Sequence, residues 1–69
     1  MKEFAIKLKQ IRKRENYTQK ALASELNVPL STYKNWESLG SGHKTPNLEM
    51  LIKLSHILNV SPDELAGIR

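Results

Sequence analysis

Residues 18–37 read TQKALASELNVPLSTYKNWE. The stretch reads as two short helices joined by a tight turn. Thr18 is suited to cap the first, because its hydroxyl accepts a hydrogen bond from an orphan amide of the opening turn. Leu22, Ala23 and Leu26 then recur at helical spacing and make one apolar face. Asn27 follows, and Asn tolerates the left-handed conformation that ends a helix better than any residue but Gly. Pro29 suits the first turn of the next helix, where a missing N–H costs nothing. That helix is expected from about Pro29 to Ser38.

The second helix has two unlike faces. Tyr33 and Trp36 are three apart and share one side. Leu30, Ser31, Lys34 and Asn35 fall on the other, within about 140° of arc at about 100° per residue. A helix held by its aromatic side, with Ser, Lys and Asn turned outward, is suited to reading base edges in a major groove.

Outward from this stretch, the first helix is expected over Met1 to Glu15. Phe4, Leu8 and Ile11 form its core-facing stripe, with Lys2, Lys7, Lys9, Lys13 and Arg14 around the remainder. The stripe is too narrow, and the chain beyond it too globular, for a membrane-surface helix. Asn16 ends the helix and Tyr17 packs back onto the core. The segment 38–47, SLGSGHKTPN, carries Gly40, Gly42 and Pro46, turn signals that a helix does not pass through. Asn47 caps a fourth helix with Glu49 in its first turn, and Leu48, Leu51, Ile52, Leu54, Ser55 and Leu58 read as a broad apolar face. Asn59 ends it. Ser61-Pro62-Asp63-Glu64 is a capping box with Pro at the first helical position, opening a short fifth helix that stops near Ala66 and Gly67. No strand pattern or repeat interrupts the series.

The order of these elements resembles the helix-turn-helix family of phage repressors and Cro. The resemblance is carried by Thr18-Gln19, Leu22-Ala23, Ser31-Thr32-Tyr33 and Trp36-Glu37. It continues through Pro46-Asn47-Leu48, Leu51, Leu54, Leu58-Asn59-Val60-Ser61 and Leu65. T-Q-x-x-L-A alone is weak, but the whole series at nearly the family's spacing is specific. It implies an all-α, five-helix, lambda-repressor-like DNA-binding domain spanning residues 1–69, with its motif at 18–37.

The resemblance also implies roles. Arg12 and Glu37 match two positions that form a buried ion pair in the family, locking the first helix to the recognition helix. Two unrelated surface charges are the plainer reading. Gln19 matches a residue that contacts a phosphate and braces the recognition helix. Asn16, Lys20 and Lys44 are expected as further phosphate contacts, and Leu30, Ser31, Lys34 and Asn35 as the base-reading set. Asn35 pairs bidentately with adenine, Lys34 donates to guanine and Leu30 touches a thymine methyl. Asn16 stands where the family usually has Gly. Pro29 replaces the usual Ser or Thr, removing a cap and one phosphate contact. The 38–47 loop is a few residues longer than usual, so its phosphate ligand is open between Lys44 and His43.

Composition agrees with a polyanion partner. The 69 residues are enough for one small domain, and 11 Lys and Arg against 7 acids give a formal net charge of +4. The absence of cysteine excludes disulfides and thiolate metal sites. No signal peptide or long apolar run is present, so a cytoplasmic protein without a membrane partner is expected. The two histidines read as solvated, His43 in the loop and His56 off the apolar face, and neither has metal-ligand partners. The acids are scattered, so no catalytic constellation, metal or cofactor is expected.

The first reading is therefore a sequence-specific double-stranded-DNA-binding regulator, a repressor, working as a homodimer. Its meeting surface is expected on the fifth helix, around Leu65 and Ile68. Two others stand beside it: the antitoxin of a toxin–antitoxin pair, and a protein-interaction module that has kept the fold and lost DNA.

Overall fold

A computed structural model describes residues 2–40 and 42–67 of the chain. Met1 and Ile68, both used in the reading above, lie outside the described residues. Among the described residues the chain is all-helical: α1 (Lys2–Arg14), α2 (Gln19–Leu26), α3 (Leu30–Glu37), α4 (Leu48–Ile57) and α5 (Pro62–Leu65). α3 packs against both α1 and α2, while α5 closes the far side against α1 and α4.

Asparagine ends three of these helices. Asn16, Asn27 and Asn59 have φ of 64°, 61° and 58°. Behind each, two backbone bonds close the last turn. Tyr17 N–H donates to the Arg12 carbonyl, Val28 to Ala23 and Val60 to Ser55, each at 3.0 Å. This satisfies carbonyls the helix end would leave bare. The residue after each Asn is apolar, and Tyr17, Val28 and Val60 all pack against the core. The same two-residue device thus stops a helix and turns the chain inward. Helix starts are equally local. The side chains of Thr18, Asn47 and Ser61 accept from the amides of Ala21, Met50 and Glu64.

α3 is one residue shorter at each end than its sequence pattern suggests. Pro29 is extended (φ −60°, ψ 146°) and has no side chain with which to cap, so the helix starts at Leu30. Ser38 is extended too, at ψ 140°.

One core joins all five helices. It contains Phe4, Leu8 and Ile11 of α1, Leu22, Ala23 and Leu26 of α2, Tyr33 and Trp36 of α3, Leu54 and Leu58 of α4, and Leu65 of α5. Trp36 is 4% exposed, and its ring meets that of Tyr33 edge-on at 5.6 Å.

α4 departs from expectation. Its apolar face is narrower than the sequence suggests, with Leu48 70% and Ile52 40% exposed. α2 and α5 cover a stripe centred on Leu54 and Leu58, and Leu48 and Ile52 lie roughly 100° and 140° away around the helix. Leu65 departs in the opposite sense. It is 0% exposed, so it belongs to the core and is not a meeting surface on α5.

These two leucines should behave oppositely. Leu65→Ala is expected to lower stability by about 2–5 kcal/mol, through lost transfer energy and the cavity left behind. In the single chain, Leu48→Ala should stay within about 0.5 kcal/mol. Urea unfolding followed by circular dichroism measures both. Equal losses would contradict the burial described here.

Candidate nucleic-acid interface

The site is built from one carboxylate. Glu37, the last residue of α3, has a side chain only 3% exposed, and it accepts four hydrogen bonds. Arg12 of α1 donates from Nε to Oε2 at 2.6 Å and from Nη2 to Oε1 at 3.2 Å. Gln19, opening α2, donates from Nε2 to Oε1 at 3.1 Å. The Tyr33 hydroxyl, one turn back on α3, donates to Oε2. Arg12 also donates from Nη1 to the Tyr17 carbonyl at 2.8 Å, joining the α1–α2 turn to the same centre. Three helices and a turn are thereby fixed around one point. The guanidinium fork matches the carboxylate in two parallel bonds, a geometry Lys does not offer.

Burial by itself would raise the Glu37 carboxyl. The bonds from Arg12, Tyr33 and Gln19, together with the Arg12 charge, outweigh it and hold the group below the ordinary carboxylate range. Arg12 is raised in turn, chiefly by its bond to Glu37. Tyr33 is pushed far above its usual value, first by burial and then by donating to Glu37. All three therefore hold their pairing states at neutral pH.

With that side of α3 committed, the opposite side faces out. Ser31, Thr32 and Lys34 are exposed and Asn35 is half-buried. Leu30 is less free than its wheel position implies, because it is half-buried and packs against the core. Thr32, exposed beside this set, lies beyond the outward arc of Leu30, Ser31, Lys34 and Asn35. It flanks the aromatic side without being covered by it.

Among the residues expected at phosphates, Asn16, Lys20 and Lys44 are exposed, on the turn after α1, the first turn of α2 and the loop after α3. Gln19 is half-buried because its amide is held by Glu37. His43 is not the solvated loop residue its context suggests. It is half-buried, its Nδ1 lies 2.9 Å from the Ser38 carbonyl, and its Nε2 is buried. Loop sequence carries no period from which such packing is legible. His56 is exposed. No group of three or more His, Cys, Asp or Glu suited to a metal occurs among the described residues, and no helix there is long and apolar enough to cross a membrane.

Comparison with known proteins points the same way. Residues 8–65 match a family model described as helix-turn-helix. The chain is 41% identical over 56 residues to the cryptic phage CTXphi transcriptional repressor RstR of Vibrio cholerae serotype O1, covering 81% of this chain and 47% of that protein. It is 38% identical over 61 residues to the transcriptional regulator ImmR of Bacillus subtilis, covering 88% and 46%. It is 43% identical over 63 residues to the transcriptional activator BcrR of Enterococcus faecalis, covering 91% and 29%. The chain thus spans about half or less of the length of these curated relatives. No solved structure gives a significant match.

The Glu37 centre has a stability consequence. Glu37→Gln leaves Arg12 buried without its anion and should cost roughly 1–4 kcal/mol at neutral pH. The folded carboxyl titrates below the unfolded one, so its contribution is complete above the ordinary carboxylate range. It is lost as pH falls through the folded value. Melting temperature against pH should therefore drop on the acid side for the native chain. The gap between native chain and variant should close there. A constant gap down to the acid limb would contradict this assignment.

Proposed function

This chain belongs to the helix-turn-helix family, and we propose that it is a sequence-specific transcriptional regulator of double-stranded DNA, a repressor acting in the cytoplasm. Residues 1–69 form one DNA-binding domain in this reading, with the motif at 18–37. The observation that carries it is the Glu37 centre, which fixes α3 by its inner side while Ser31, Thr32 and Lys34 stay exposed. A helix so held enters a major groove without reorganising. The relatives described as repressor and regulators support the functional class, and the excess of basic residues supports the polyanion.

In this reading Ser31, Lys34 and Asn35 face base edges, and Leu30 offers only its uncovered edge to a thymine methyl. Asn16, Lys20 and Lys44 meet phosphates on either side. Gln19 gives one amide hydrogen to Glu37 and offers the second, together with the α2 N-terminus, to the backbone. Phosphate contacts supply affinity and register, and base contacts supply sequence. One helix reads only a few base pairs, so two copies bind half-sites about one helical turn apart. With Leu65 in the core, Leu48 and Ile52, adjacent on the outer side of α4, offer an exposed apolar surface suited to pairing the copies.

Selection of bound sites from random duplex DNA tests this directly, because it yields the operator, its symmetry and its spacing. On that operator Asn35→Ala should cost about 1–3 kcal/mol and relax preference at one base-pair position. Lys20→Ala should weaken operator and random DNA nearly equally and lower the salt slope by about one. Equal weakening of both DNAs by Asn35→Ala would remove α3 from the role of reader.

A further inference from the structure

The loop after α3 has no periodicity, yet it is tied down repeatedly. Gly40 N–H donates to Ser38 Oγ at 3.3 Å, and His43 N–H donates to the Gly40 carbonyl at 3.0 Å. Lys44 N–H donates to the Asn35 carbonyl at 3.0 Å, bringing the loop back onto α3. The His43 ring makes the remaining tie, Nδ1 to the Ser38 carbonyl at 2.9 Å. A carbonyl only accepts, so Nδ1 carries the proton in this bond. Nε2 is buried with no protein hydrogen-bond partner among the described residues. The ring therefore acts through one nitrogen. With one nitrogen committed and the other covered, it is not placed to bind a phosphate itself.

Two DNA-facing groups depend on where this loop sits. Lys44 follows His43 directly and is exposed. Asn35 is half-buried, and a Cβ added at Gly42 would lie 3.8 Å from its Oδ1. The loop is thus a wall beside the Asn35 side chain.

We propose that His43 is a positioning residue for DNA binding: through Nδ1 it clasps the loop to the C-terminal end of α3, and so sets where Lys44 meets the backbone and how Asn35 stands toward a base. This rests on the reading of Lys44 as a phosphate contact. Without the clasp the loop no longer holds Lys44 at the backbone, and its phosphate contact is lost together with the counterion release that accompanies it.

The test uses the geometry of two amides. The nitrogen of an Asn side chain falls near the place of His Nδ1, and that of Gln near the place of Nε2. His43→Asn therefore keeps the donor to Ser38, and His43→Gln moves it away. Binding of the native chain, His43→Ala, His43→Asn, His43→Gln, Lys44→Ala and the double variant His43→Ala/Lys44→Ala is measured at several salt concentrations. The DNAs are the selected operator and its single-base variants. Circular dichroism confirms that each protein is folded at the assay temperature.

The Ala and Gln variants should bind roughly eightfold more weakly at about 0.1 M salt, the share of one phosphate, with the slope lower by about one. Base preference at the Asn35-dependent position should relax as well. His43→Asn should match the native chain, and the double variant should be no flatter in slope than Lys44→Ala. A native slope in His43→Ala, or equal behaviour of Asn and Gln, would overturn the proposal. If Lys44→Ala itself leaves the slope unchanged, the phosphate reading of Lys44 fails and the proposal goes with it. That result is distinct from a failure of His43 alone.

Discussion

A carboxylate taken out of water must find its partners inside the protein or give up its charge. Glu37 finds four, from α1, α2 and α3, and a fifth bond from Arg12 to Tyr17 draws in the turn between the first two helices. No apolar contact does the same work. Dispersion and burial hold helices together but leave them free to slide by fractions of an ångström, whereas four directional bonds on two oxygens set an orientation. The net stability gained from such a centre is modest, because desolvation offsets much of the attraction. Its larger consequence is that α3 is placed before it meets anything.

That placement matters more where the core is small. The 69 residues bury a limited core, and α2 and α3 are only eight residues each. Helices this short are not stable by themselves. They persist because each end is closed and each inner face is buried. The asparagine stops at 16, 27 and 59 help twice, satisfying carbonyls and aiming Tyr17, Val28 and Val60 at the core. Pro29 contributes no cap, so α3 leans on its neighbours more than α2 does.

The outer side of α3 is what remains after these demands are met. Leu30 is partly drawn inward by the core, and Asn35 is partly covered from the loop side. The exposed surface of α3 is therefore narrower and more polar than the helical wheel suggests. Ser31 and Lys34 lie at its centre and Thr32 at its edge.

Features that depend on a few neighbouring residues were legible in the sequence. The caps at Thr18, Asn47 and Ser61, the asparagine stops, the Phe4-Leu8-Ile11 stripe and the aromatic side of α3 are all set within one or two helical turns. Local geometry there follows from residue type. The Arg12–Glu37 pairing was available only through family resemblance, since nothing local links residues so far apart in the chain. Tertiary structure alone decided the rest. Periodicity shows that a helix has an apolar side but not how much of it a neighbour covers, so Leu48 and Ile52 remained in solvent while Leu65 was buried. The loop has no period at all. The half-burial of His43 and its bond to Ser38 exist because the chain after α3 folds back over that helix, a path set by where α4 finds its place in the core.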